Sequence, residues 1–248
     1  MTERQPSPAG GRRRRRRADL ARRAARRPPS KPDLDGKGLS HPARYSDDLL
    51  DVFRRHLGGY RHVLDPFAGT GRIHELGPAW DTVGVEIEPE WAHLHPRTIV
   101  GNALALEFAD ATFDAICTSP TYGNRLADHH EARDGSVRRT YRHDLGRALH
   151  PENSGRMQWG ESYRDFHERA WAEAVRVLRP GGLFVLNVKN HIRRGEEVDT
   201  TSFHRETLEQ LGLKVVAEET VPVSGMRVGI NRQARVTHES VLAFELAD

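Results

Sequence analysis

Asp65 to Gly71 reads D-P-F-A-G-T-G and directly follows the apolar pair Val63-Leu64. A glycine loop after a short buried strand lets backbone approach a ligand, because Gly69 and Gly71 lack a Cβ and accept unusual dihedrals. The helix expected after the loop would turn its free N–H groups to the same ligand. The G-T-G spacing is not the G-x-G-x-x-G of dinucleotide enzymes, and no P-loop lysine follows, which argues against NAD and ATP. Downstream, Glu86 closes a second apolar run, Thr82 to Ile87, where an acid can accept both hydroxyls of a ribose. Asn102 follows a third run, Thr98 to Gly101, where a polar side chain can read an adenine amine.

The flanking sequence alternates helix and strand signals. Ser46 caps S-D-D-L-L-D-V-F-R-R-H-L-G-G, with Asp47 and Asp48 at the positive end of the dipole and Gly58 at the other end. Leu49, Leu50, Phe53 and Leu57 share one face of that helix. Phe113 to Ser119 reads as a fourth strand. Glu161 to Arg179 predicts a long amphipathic helix with Phe166, Ala170, Ala174, Val175 and Leu178 inward, stopped by Pro180-Gly181-Gly182. Leu183 to Lys189 is apolar on both faces, as a central parallel strand should be, and residues 214–223 and 238–246 read as two further strands. The alternation predicts a doubly wound α/β sheet. Residues 123–160 interrupt it with a polar, His- and Arg-rich insert, a length that in a compact domain is usually functional or mobile.

Thr118 to Arg125 reads T-S-P-T-Y-G-N-R. An exocyclic amine on a nucleobase is a poor nucleophile, because its lone pair is delocalised into the ring. Acceptors aimed at the amine hydrogens localise that pair, so positioning and preorganised electrostatics carry most of the rate. Ser119 and the Pro120 carbonyl, at the end of a parallel strand, suit that task. Tyr122 suits stacking on a base that has left its duplex.

D-P-F-A-G-T-G and T-S-P-T-Y-G-N-R together resemble motifs I and IV of the S-adenosylmethionine-dependent amino-methyltransferases of DNA. The resemblance implies a Rossmann-like class I methyltransferase fold, a mostly parallel seven-stranded sheet with a C-terminal antiparallel hairpin. It implies S-adenosylmethionine as cofactor, with Asp65, Phe67, Gly69 and Gly71 along its methionine part and Glu86 on its ribose. Asn102 falls at the adenine, where the family often has Asp. H-P-A-R-Y, from His41 to Tyr45, resembles the segment that packs on the cofactor from the N-terminal side, which adds Tyr45 to the binding set. Motif IV is usually Asp, Asn or Ser followed by Pro-Pro-Tyr or Pro-Pro-Phe, and the serine form is most often seen in enzymes of cytosine N4. The likeness makes Ser119, Pro120 and Tyr122 catalytic and Asn124 and Arg125 substrate contacts. The implied reaction is methylation of cytosine N4 in DNA, with adenine N6 or an RNA base as alternatives. Thr121 stands where the family has its second proline. That departure loosens the loop and keeps open a reading of another class, a catalytically silent DNA-binding protein. N-R-Q-A-R-V-T-H-E-S-V-L-A-F-E resembles the final hairpin of these enzymes and turns Arg232, Arg235 and His238 toward the substrate.

Composition bounds these readings. The 248 residues suffice for one methyltransferase domain, 41–248, after an Arg-rich tail, 1–40. Twelve of the 38 Lys and Arg and two of the 35 acids fall in residues 1–32, so that stretch carries +10 and residues 33–248 carry −7. The tail cannot bury enough surface to offset its ordering entropy, so it is expected to be disordered. It reads as an arm for nucleic-acid phosphates or as a solubilising tail. There is no run of 18 apolar residues, no secretory h-region and a single cysteine, which predicts a cytoplasmic protein without a membrane span or disulfide framework. That Cys117 lies within an apolar strand and suits the core better than the nucleophile of a cytosine-C5 reaction. His129 and His130, with Asp128, Glu131 and Asp134, lack the spacing of a ligand set, so no metal is expected. Arg133, Arg138, Arg139, Arg142 and Arg147 read equally as phosphate contacts or as solvated surface. Trp159 and Tyr163 suit either the base pocket or the core.

Overall fold

Val63 and Leu64 turn to opposite faces of a sheet, and the central strands repeat that pattern because both faces are covered. The computed structural model describes residue 41 and residues 44–124, 140–223 and 235–247. The Arg-rich tail, Arg125, Arg232, the residues 128–134 considered for a metal, Arg138 and Arg139 lie outside the described residues. The strands are β1 (His62–Asp65), β2 (Asp81–Glu86), β3 (Thr98–Val100), β4 (Phe113–Thr118), β5 (Leu178–Val188), β6 (His191–Arg193), β7 (Glu196–Val198), β8 (Leu213–Pro222) and β9 (His238–Leu246). Seven of them form one sheet in the order β3-β2-β1-β4-β5-β9-β8. Pairing is parallel from β3 to β5 and antiparallel at β5–β9 and β8–β9. The expected seven-stranded sheet with its antiparallel C-terminal pair is therefore present.

The helices are α1 (Asp47–His56), α2 (Pro89–Ala92), α3 (Tyr141–Leu145), α4 (Glu161–Val177) and α5 (Thr200–Gln210). On one face, Leu64, Ile116, Phe184 and Leu242 pack under Trp171, Ala174 and Val177 of α4 and Leu208 of α5. On the other, Val63, Ala115, Cys117 and Val185 pack under Leu49, Leu50 and Phe53 of α1. Ser46 caps α1, its Oγ accepting the Leu49 N–H at 3.2 Å. Truncating a core residue such as Leu64 to Ala would cost about 2–5 kcal/mol.

Two local expectations need correction, and two further features were not foreseen. The segment after the glycine loop is not an α-helix but a 3₁₀ helix, Arg72–Leu76, because Gly77-Pro78 ends it after five residues. The long helix stops at Val177 rather than Arg179. Leu178 already pairs with Phe113 of β4, and Pro180-Gly181-Gly182 forms an irregularity in β5 before Leu183 pairs with Ala115. Between β5 and β8 the sequence reading placed nothing, yet the β6–β7 hairpin and α5 lie there. The signals were Asp199, whose side chain accepts the Ser202 N–H as an N-cap, and Arg194-Gly195, both at positive φ in the hairpin turn. Finally, the returning limb of the insert is packed: Tyr141, Leu145 and Leu149 are buried against Trp91.

Candidate functional site

Parallel strands end on one edge of a sheet, so the segments after β1, β2, β3 and β4 converge there. β1 and β4 are neighbours at the point where strand order reverses, the usual place for a crevice in such sheets. A cavity of about 350 Å³ occupies that edge. Tyr45, Phe67, Gly69, Glu86 and Asn102 line it, and so do Ser119, Pro120, Tyr122 and Asn124. From β3 to β4 it crosses three strand spacings, about 14 Å.

Asp65 and Gly71 do not line the cavity but build its floor. The Asp65 carboxylate is fully buried and accepts three hydrogen bonds: from Tyr45 Oη at 2.6 Å, from Thr118 Oγ1 at 2.7 Å and from the Phe67 N–H at 3.0 Å. Burial pushes its pKa up to about 6, outweighing the bonds that favour the charged form. Gly71 sits at φ +82°, and a Cβ there would come within 2.8 Å of His95 Cβ, so its absence of side chain serves packing. Glu86 holds the loop directly. Its Oε2 accepts the Gly69 N–H and its Oε1 the Glu88 N–H, both at 2.9 Å. Burial raises its pKa to about 7. Phe67 stacks on His167 and meets Trp171 edge-on, which fixes the loop against α4.

The returning limb of the insert forms one wall. Glu88 is fully buried, and its Oε1 accepts the His150 N–H at 2.7 Å and Asn153 Nδ2 at 2.8 Å. Arg147 lies 2.8 Å from Glu88 Oε2 and also donates to Glu90 Oε1 at 2.8 Å. Arg147 is thus committed to carboxylates rather than free for phosphates. Tyr141, Glu152, Asn153 and Ser154 reach the cavity by this route, and no sequence signal singled them out.

The loop after β4 is held from two sides. Ser119 Oγ lies 2.9 Å from Tyr122 Oη. Asn187, at the end of β5, points its Nδ2 at Ser119 Oγ (3.2 Å), Tyr122 Oη (2.9 Å) and Glu239 Oε2 (3.0 Å). The bond to Glu239 Oε2 turns the amide nitrogen, not its oxygen, toward that carboxyl. Asn187, Lys189 and Glu239 all line the cavity and escaped the sequence reading. The available signal was polar side chains at the ends of otherwise apolar strands. Arg235 and His238, expected to face the substrate, are exposed and outside the cavity wall.

Thr121 is tied down rather than loose. Its Oγ1 donates to Ser154 Oγ at 3.0 Å, and its carbonyl accepts Tyr163 Oη at 2.6 Å. Behind it runs an ordered chain. Trp171 Nε1 donates to His204 Nδ1 at 3.0 Å, so the neutral ring carries its proton on Nε2 and donates to Tyr163 Oη at 3.0 Å. His204 is fully buried and its pKa is lowered well below the usual value by burial, which keeps it neutral. Tyr163 is therefore a core residue that braces the loop. Trp159, half-buried beside Tyr163 and Phe203, also packs outside the cavity wall. Cys117 is buried in β4, away from the cavity wall, and burial raises its thiol pKa.

Among the described residues, no group of three or more His, Cys, Asp or Glu is arranged to hold a metal ion, and no helix is long and apolar enough to cross a membrane. No family model and no curated protein matches the sequence. Solved structures do match. A SAM-dependent methyltransferase from Methanosarcina mazei is similar at a TM-score of 0.53 and 14% identity, over 79% of this chain and 97% of that one. The 1,6-didemethyltoxoflavin-N1-methyltransferase of Burkholderia thailandensis, solved with 1,6-didemethyltoxoflavin and S-adenosylhomocysteine, matches at 0.50 and 17%, over 100% and 94%. The [4+2]-cyclase SpnF matches at 0.50 and 16%, over 81% of each chain. At such identities only the fold is shared, and the cyclase is a reminder that one fold hosts several chemistries. The chain thus has the class I methyltransferase fold, with its cavity at the switch point of the sheet.

Proposed function

We propose that this protein transfers a methyl group from S-adenosylmethionine to an exocyclic amine of a nucleic-acid base, cytosine N4 in DNA first. The observation that carries this reading is a single cavity lined both by Gly69 with Glu86 and by Ser119-Pro120-Thr121-Tyr122. The residues present fit the cofactor. Gly69 lines the cavity at φ +51°, a backbone conformation that favours glycine, so the loop turns there with no side chain in the way. Each oxygen of Glu86 holds one N–H and keeps a lone pair for a ribose hydroxyl. Buried negative charge at Asp65 and Glu86 complements a cationic ligand.

When bound, the cofactor supplies an electrophilic methyl on a positive sulfur. The chain supplies the rest. Ser119 Oγ and the Pro120 carbonyl accept the amine hydrogens and localise the nitrogen lone pair. Tyr122 stacks on the flipped base. Held in this way, the amine nitrogen would face the methyl that the bound cofactor supplies, and the proton it sheds would leave to solvent. Asn187 acts one step removed, orienting the Ser119 and Tyr122 hydroxyls. The +10 arm at residues 1–32 adds salt-sensitive, sequence-independent attraction to DNA.

The test is incubation with methyl-labelled S-adenosylmethionine and unmethylated DNA, followed by mass spectrometry of the digested nucleosides. N4-methylcytosine is the expected product. N6-methyladenine would correct the base, and label only in RNA would move the substrate. Cofactor binding with no transfer to either nucleic acid would leave the silent binding protein.

A further inference from the structure

Two side chains that line the cavity on its β3 side are bonded to each other. Asn102 follows β3, and Glu152 comes from the returning limb of the insert; both line the cavity. Asn102 Oδ1 is already engaged, accepting the Leu104 N–H at 2.9 Å. Its Nδ2 donates to Glu152 Oε2 at 3.1 Å. The amide therefore turns hydrogens, not an acceptor, toward the limb. A purine carrying an exocyclic amine needs an acceptor there, and an amide N–H facing an amine N–H repels it. Glu152 Oε1 carries no hydrogen bond from the described residues.

Glu152 is not placed by chance. Its N–H donates to His150 Nδ1 at 3.2 Å. His150, two residues before it, and Asn153, directly after it, both bond the fully buried Glu88 carboxylate, two residues past the end of β2. Arg147 closes the same cluster. A loop residue is thereby fixed to the strand edge by backbone and side chain together.

We propose that Glu152 is the specificity-determining acceptor for the amine of the cofactor's adenine, with Asn102 holding its other oxygen and the Glu88 cluster positioning it. This rests on the S-adenosylmethionine reading of the cavity. The probes are S-adenosylhomocysteine and S-inosylhomocysteine, which differ by an amine against a carbonyl at the same ring position. Calorimetry on the full chain is expected to show wild type preferring the adenosyl form by about tenfold or more, the scale of one hydrogen bond to a charged acceptor. Glu152→Ala should lower adenosyl affinity by about tenfold and bring the ratio toward one, with the inosyl affinity little changed. Glu152→Gln, which can offer an N–H to the inosyl carbonyl, should narrow the ratio from both sides. Wild type binding neither probe would overturn the cofactor reading itself. Wild type that binds while Glu152→Ala keeps the full preference would overturn the role of Glu152 alone.

Discussion

The two halves of the cavity are fastened by different kinds of bond. Between β1 and β3, on the side assigned to the cofactor, each buried carboxylate is tied to backbone: Asp65 to Phe67, Glu86 to Gly69 and Glu88, Glu88 to His150. Beyond β4, on the side assigned to the base, side chains bond mostly to one another: Ser119, Tyr122, Asn187 and Glu239. A backbone N–H cannot swing away without moving its strand, whereas a hydroxyl rotates freely to a new partner. One half is thus preorganised, and the other holds hydroxyls that, on the proposed reading, would exchange their internal bonds for bonds to an incoming amine. The electrostatics divide the same way. Burial raises two carboxyl pKa values on the cofactor side, which a cationic ligand would draw back down.

Substitutions should separate the halves. On the proposed reading, Ser119→Ala removes an acceptor needed only while the methyl transfers. It is expected to slow transfer by about 10²–10³-fold and leave S-adenosylhomocysteine affinity within about twofold. Equal losses in both, measured by labelled-methyl transfer and calorimetry, would erase the division. Glu86→Gln acts on the other side. Losing a charged acceptor for the ribose should weaken S-adenosylhomocysteine binding by about 10–100-fold, with transfer at saturating cofactor much less affected.

Glu86 also predicts two opposite pH trends. Its pKa is raised from 4.5 to about 7, and that of Asp65 from 3.8 to about 6. Between pH 4 and 7 the folded protein then binds more protons than the unfolded chain, so these groups make stability fall as pH rises through that window. Cofactor binding uses ionised Glu86 and should strengthen with pH, losing up to about tenfold in affinity per unit below pH 7. Melting temperatures and calorimetric affinities from pH 5 to 8 check both; Glu86→Gln should flatten the affinity trend and leave only the Asp65 share of the stability trend. If both rise together in wild type, Glu86 is not the titrating group.

The sheet was legible because its signals are local. Val63-Leu64, Thr82 to Ile87 and Leu183 to Lys189 carry their burial in their own composition, and the glycine loop and T-S-P-T-Y fall where β1 and β4 end. What sequence could not show depends on partners far away in the chain. Nothing in its neighbours marks Glu88, yet it is fully buried, with His150, Asn153 and Arg147 folded back to it. Asn187 and Glu239 lie 52 residues apart and meet only because β5 and β9 pair. The polar insert gave no sign of packing, because its three apolar anchors, Tyr141, Leu145 and Leu149, stand alone among polar residues and share a partner in Trp91, some fifty residues away.

Thr121 offers the smallest and most discriminating test. A proline there, the form the motif usually takes, has no hydroxyl. Threonine's Oγ1 reaches Ser154 on the insert limb, the limb that also carries Glu152 and Asn153 to the cofactor side. That one bond is a tie between the two halves. Thr121→Val keeps the shape and removes the tie, leaving the buried Ser154 hydroxyl without its partner, a loss of about 1 kcal/mol or roughly fivefold. Thr121→Ser keeps the hydroxyl and should behave like wild type. If Thr121→Val slows transfer about fivefold while S-adenosylhomocysteine affinity holds, the bond serves the Ser119 loop and the halves remain independent. If affinity falls with it, the limb transmits strain from one half to the other, and the preorganised cofactor side is set in part by the loop that handles the base.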